Sequence, residues 1–252
     1  MSPKSLKIAY LTAGAAGMYC GSCMHDNTLA AALTRLGADI QLLPTYTPIR
    51  TDEGDVSADR VFFGGVNIYL QEKFALFRYL PSLLDRFLDQ PRFLRWATSR
   101  SASIDPRFLG GMTVSMLRGE HGHQRKEVRR LCRYLRSSMR PNLVVFTNIL
   151  IAGCIPEIKR TVGAPPLVTL QGDDVFLDFL PEPHQSAAIK ECRRLAGQAD
   201  GFIVHSRCYA DTMSEYLGAP RDRMHIVPLG IDTRDFAEFY ESRGAPAASH
   251  ET

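Results

Sequence analysis

Lys7-Ile8-Ala9-Tyr10-Leu11-Thr12, then Gly14-Ala15-Ala16-Gly17-Met18-Tyr19-Cys20-Gly21-Ser22-Cys23, then Asn27 to Leu36 and Asp39 to Leu43: this opening stretch decides the fold. It holds a short apolar run, a glycine-rich loop, a helical stretch and a second apolar run. The helix carries Leu29, Leu33 and Leu36 at helical spacing and stops at Gly37. A strand, a helix and a strand in that order predict two parallel strands joined by a crossover.

The alternation continues outward from there. Val61 to Leu70 reads as a third strand bent at Gly64-Gly65. Further strands are expected at Asn142–Thr147, Pro166–Leu170, Gly201–His205 and Met224–Val227. Helices are expected after Thr147 through Ile158, over Ser186–Gly197 and over Arg207–Leu217. The strands are continuous apolar runs, which suits strands buried on both faces. From Gln71 to Arg140 no strand is expected; Pro81, Pro91, Pro106 and Gly110-Gly111 break this stretch into helical pieces, making it a helical insertion. Gly244 to Thr252 is small and polar and is expected to be disordered.

Composition excludes several classes. A net charge of +3 is too small to argue for nucleic acid, and 45% apolar residues with 23% charged ones describe an ordinary soluble domain. The apolar run after the N-terminus, Ile8 to Leu11, is too short for a secretory signal, so the expectation is a cytoplasmic protein with reduced thiols. The six cysteines suggest no disulfide framework.

Candidate site residues lie where strands end. In an open α/β sheet, ligands bind beyond the carboxyl ends of the strands. Gly14, Gly17, Gly21 and Ser22 are expected in the first loop, where glycines let backbone N–H groups approach a phosphate at a helix N-terminus; the bland alternative is an unliganded turn. Gln171, Gly172, Asp173 and Asp174 follow the Pro166–Leu170 strand. Gln171 and Asp173 are the expected catalytic pair, and Asp174 would hold sugar hydroxyls, unless one aspartate caps the next helix. His205 ends its strand facing the same crevice, and Ser206 reads as a helix N-cap. Cys20-Gly21-Ser22-Cys23 is read as packing in a loop, with redox or metal chemistry the lesser alternative, since no second ligand pair completes a tetrahedral site. Arg125, Lys126, Arg129, Arg130, Arg133, Arg136 and Arg140 form a basic helix with Val128, Leu131, Cys132 and Leu135 on its apolar side. That side packs on the sheet in one reading; in the other the helix lies peripherally on the inner face of an anionic membrane.

Ala199-Asp200-Gly201-Phe202-Ile203-Val204-His205-Ser206 resembles a junction found in family 4 glycosyltransferases. Met224 to Asp232, with Pro228-Leu229-Gly230-Ile231-Asp232 and Phe236 after it, resembles the P-x-G-[IV]-D segment that follows in that family. Val168-Thr169-Leu170-Gln171-Gly172-Asp173 is similar to its T-x-H-G-x-x segment, with Gln171 where histidine is common. The resemblance implies an α/β, doubly wound, mainly parallel Rossmann-like sheet forming one half of a GT-B architecture. It implies a retaining, sugar-nucleotide-dependent hexosyltransferase that needs no metal or other cofactor, acting on a glycan, lipid or small-molecule acceptor. Residues 1–236 would be the acceptor-side domain with its insertion at about 71–140, and 237–252 a tail. The family's donor domain, with its E-x7-E segment, does not fit after Asp232, so the expectation is a chain that meets that domain in cis or trans. A non-catalytic glycan- or anion-binding protein is the alternative. A nicotinamide oxidoreductase is disfavoured because G-x-G-x-x-G is missing and no acidic residue ends the second strand.

Overall fold

The computed structural model describes residues 6–14, 18–64, 68, 70–72 and 106–234. Six strands form one sheet: β1 (Lys7–Thr12), β2 (Asp39–Pro44), β3 (Leu143–Phe146), β4 (Pro166–Thr169), β5 (Gly201–Val204) and β6 (Met224–Ile226). Their order is β2-β1-β3-β4-β5-β6 and every neighbouring pair is parallel. The chain winds from β1 outward to β2, then returns past β1 to β3 and runs the other way. The crevice between the ends of β1 and β3 is therefore the switch point at which such sheets bind ligands.

Alternation along the strands sends side chains to two unequal faces. One face (Ala9, Leu11, Leu43, Val144, Phe146, Val168, Phe202, Val204) is packed under most of the helices. These are α2 (Pro106–Leu117), α3 (Arg125–Tyr134), α4 (Ile155–Thr161), α5 (Asp173–Asp178), α6 (His184–Ala196) and α7 (Arg207–Leu217). The other face (Ile8, Tyr10, Leu42, Val145) meets α1 (Gly21–Arg35), with Leu167 and Ile203 only partly buried.

Two expectations need correction. The described residues of Val61 to Leu70 form no strand: Val61, Phe62 and Phe63 are buried in irregular backbone, and Ile68 and 70–72 are helical. Its buried aromatic residues bridge the end of β2 and the helical layer: the Phe62 and Phe63 amides donate to the Pro44 and Thr45 carbonyl oxygens, while Phe62 packs on Tyr134 and its carbonyl oxygen accepts from Arg130. The first helix also starts earlier than Asn27 and turns a different side inward. Leu36 is 84% exposed, while Cys23, Asp26, Asn27 and Ala30 are the buried stripe.

The described part of the insertion, 106–140, is helical as expected. Val128, Leu131, Cys132 and Leu135 are buried against the sheet, and Arg125, Arg129, Arg133, Arg136 and Arg140 face solvent. The remainder of the insertion, 73–105, and the tail expected at 237–252 lie outside the described residues. Among the described residues no helix is long and apolar enough to cross a membrane.

Candidate functional site

Four loops lie around the switch point, tied in pairs by backbone and side-chain hydrogen bonds. Those after β1 and β2 are zipped together: Thr45 donates through its amide and its hydroxyl to the Thr12 carbonyl oxygen, at 2.8 Å each, and the Tyr46 amide donates to Ala13 at 3.0 Å. Gly14 sits at φ +79° directly against Thr47, where a Cβ would lie 2.1 Å from the Thr47 carbonyl oxygen. Further along, the Arg50 guanidinium stacks 4.3 Å over the Tyr19 ring.

Under this roof lies a polar cluster built from the buried stripe of α1. Asp26, fully buried, accepts from the Tyr10 hydroxyl at 2.9 Å and the Thr12 hydroxyl at 2.6 Å. Burial and the neighbouring Asp26 charge hold the Tyr10 phenol well above its ordinary range. Asn27 clips the chain that leaves β2, donating to the Gly54 carbonyl and accepting from the Val56 amide. These residues pin the N-terminus of α1 over the strand ends.

The β4 loop is tied to the β3 loop. Asp173 is buried, and its two carboxylate oxygens accept from the Ile149 amide at 2.8 Å and the Gln171 amide at 2.9 Å. It caps neither its own helix nor a free ligand position. The residue before α5 is Gly172 at φ +88°. Asp173 is thus a clamp between loops, with one backbone donor on each carboxylate oxygen. Gln171 donates from Nε2 to the Thr147 carbonyl and hydroxyl oxygens at 2.8 and 2.9 Å, leaving its side-chain oxygen as an acceptor. The Gly172 amide donates to the Tyr209 hydroxyl, which donates in turn to Asp174 at 2.7 Å.

Burial raises the Asp173 carboxyl to about 6 against the backbone hydrogen bonds that favour its charged form. The sign follows. An acid whose folded value exceeds its unfolded one stabilises the fold fully below the unfolded value, and that contribution is lost as pH rises through about 6. A two-unit shift is worth about 3 kcal/mol. Urea unfolding at several pH values is therefore expected to show wild type losing stability relative to Asp173→Asn between about pH 4 and 6. At low pH the variant is the weaker protein, because its amide N–H₂ faces a backbone N–H. Parallel curves across that window would show that burial does not raise this carboxyl.

His205, at the end of β5, pairs its Nδ1 with the Val227 carbonyl oxygen at 2.9 Å. Its ring meets His25 of α1 edge to face, with centroids 5.2 Å apart. Among the described residues neither His25 Nδ1 nor His205 Nε2, both buried, has a hydrogen-bond partner, although His25 Nδ1 lies 3.8 Å from Asp26. Ser206 caps α7, accepting from the Tyr209 amide at 3.1 Å, as its sequence position predicts. Gly21 and Ser22, expected in the loop, form the first turn of α1 instead, because the helix begins directly after Cys20. Gly17 lies outside the described residues. Thus Gly14, Gln171, Gly172, Asp174 and His205 sit at the carboxyl edge of the sheet, where the sequence reading placed them. Tyr10, Thr12, Asp26, Thr147 and Tyr209 were missed. Asp26 was legible only through the spacing Cys23, Asp26, Asn27, Ala30, a helical stripe whose polar members hide it from an apolar search. Among the described residues no group of three or more histidine, cysteine or carboxylate side chains could hold a metal ion.

The family model of the glycosyl transferase 4-like domain matches residues 27–230. The chain belongs to this glycosyl transferase 4-like family. A search of curated proteins finds no match to the sequence. Among solved structures, the catalytic domain of starch synthase IV from Arabidopsis thaliana, bound to ADP and acarbose, shares 11% identity with a TM-score of 0.51, covering 92% of this chain and 53% of its own. Anabaena HepE in complex with UDP is 11% identical with a TM-score of 0.47, over 95% and 50% of the two chains. The glycosyltransferase SnogD from Streptomyces nogalater is 15% identical with a TM-score of 0.40, over 98% and 58%. The chain spans about half the length of these proteins. Its parallel six-stranded sheet is Rossmann-like, and its structural neighbours are GT-B glycosyltransferases.

Proposed function

We propose that this chain is the acceptor-side domain, over residues 1–236, of a retaining, metal-independent glycosyltransferase that moves a hexosyl group from a sugar nucleotide to a hydroxyl-bearing acceptor. A donor domain supplied in cis or in trans would complete the site. The observation that carries the reading is the set of four loops pinned in pairs around the β1–β3 switch point, in a chain of the glycosyl transferase 4-like family. In this reading the Gly14 turn and the N-terminus of α1 face the donor diphosphate, where a helix dipole favours negative charge. The free side-chain oxygen of Gln171 accepts from a sugar or acceptor hydroxyl, and its amide is held in place by Thr147. Asp174 and His205 line the same edge, Asp174 already oriented by Tyr209. Peripheral contact of the exposed arginines of α3 with an anionic membrane face belongs to the same proposal.

The test is nucleoside diphosphate release from UDP-, ADP- and GDP-hexoses, with the chain alone and with a donor half joined or added. Turnover with retained anomeric configuration is expected only when both halves are present. Gln171→Ala should then lower kcat/KM about 10- to 100-fold, the cost of one or two lost oriented contacts. Glycan or anion binding without turnover in any combination would favour the non-catalytic alternative.

A further inference from the structure

The thiols of Cys20 and Cys23 play no part in that reading, yet their placement is specific. Cys20 is the residue just before α1 and is half-buried; Cys23 lies one turn along the helix and is 1% exposed. The Cys20 sulfur lies 3.0 Å from the Ser22 hydroxyl, and Cys23 stands one helical turn further along the same chain. Cys23 packs in the thin apolar layer with Ile8, Tyr10, Leu42 and Val145. One thiol accessible and one buried, three residues apart at the start of a fifteen-residue helix, is the arrangement of an attacking and a resolving cysteine. We propose that Cys20 and Cys23 are a redox-active dithiol that closes reversibly to a disulfide at the mouth of the crevice.

The surroundings set the two thiols apart. Burial pushes Cys20 up, but the Ser22 hydroxyl and the Cys23 and Ser22 amides outweigh it and leave this thiol below its ordinary value. Burial, then the Cys20 and Asp26 charges, push Cys23 up to about 12. The chemistry is thiol–disulfide exchange with a small disulfide such as oxidised glutathione. The Cys20 thiolate attacks one sulfur and expels the first thiolate, leaving a mixed disulfide. Cys23 then attacks the Cys20 sulfur, expelling the second thiolate, which takes up the Cys23 proton. Two electrons pass from the dithiol to the oxidant, and one disulfide replaces another.

Equilibrating the native protein in glutathione buffers of graded ratio, then trapping free thiols with a maleimide of known mass, reads the exchange. Two of the six thiols should disappear together, and proteolysis should yield a peptide linking Cys20 to Cys23. In the reduced wild-type protein, iodoacetamide at pH 7 should modify Cys20 before the exposed Cys208, by about three-fold for each unit that its pKa lies lower. Cys23→Ser should trap the glutathione adduct on Cys20, with unchanged far-ultraviolet circular dichroism as the check on folding. The proposal is overturned if Cys20 reacts no faster than Cys208, if the disulfide forms only in denaturant, or if the two thiols are purified holding zinc.

Discussion

Gly14→Ala is expected to lose roughly 3–5 kcal/mol of stability, the sum of a left-handed backbone forced on alanine and a Cβ driven into a neighbouring carbonyl. The new Cβ would lie 2.1 Å from the Thr47 carbonyl oxygen and 2.5 Å from the Thr47 hydroxyl. Neither can retreat freely, because the adjoining Thr45 and Tyr46 amides bind the β1 loop. Gly37→Ala is the internal control. Its φ is +89°, yet nothing lies within 4 Å of the added carbon. Only the backbone term then applies, about 1–2 kcal/mol. Urea unfolding of the two variants separates the causes, and equal losses would show that close approach of the loops contributes nothing. If the proposed function holds, Gly14→Ala should also abolish turnover, since the same loop would face the donor.

The second large effect is expected at Asp26→Ala, with a loss of about 2–5 kcal/mol from two buried hydroxyls left without an acceptor. Tyr10 and Thr12 both donate to this one carboxylate. Asp26→Asn keeps one acceptor oxygen and should cost about 1–2 kcal/mol. Tyr10→Phe combined with Asp26→Ala should cost clearly less than the two single losses added, because each single change already breaks the shared bond. Strict additivity in that cycle, measured by denaturant unfolding, would mean the hydroxyl and carboxylate do not interact.

Much of the fold was legible in the sequence, and the reason lies in particular residues. Ile8 to Leu11, Val144 to Phe146 and Phe202 to Val204 are apolar on both faces because the sheet is covered on both, so their runs stand out. Ser206 announced its helix through a side chain that has one common use at that position. Phe62 and Phe63 misled because burial in a bend and burial in a strand leave the same local composition. The site was legible in place but less so in role. Strand ends located Gln171 and Asp173, whereas whether a carboxylate is free or already bonded depends on Ile149, which comes from another loop. The Tyr10–Thr12–Asp26 cluster was invisible for the same reason: its partners meet only after α1 folds back over β1.

The position of β1 at the switch point also bears on how the protein emerges from a ribosome. Leu11 pairs with Leu43 on one side, soon after it is made, but with Phe146 on the other, more than half a chain length later. At ordinary elongation rates that partner arrives on the order of ten seconds afterwards. During this interval the β1–α1–β2 unit would carry an unpaired strand edge and a bare apolar face, the conditions under which nascent chains recruit holding chaperones or associate with one another. Synonymous codons that slow translation between β2 and β3 are thus expected to lower soluble yield, while leaving the finished fold unchanged.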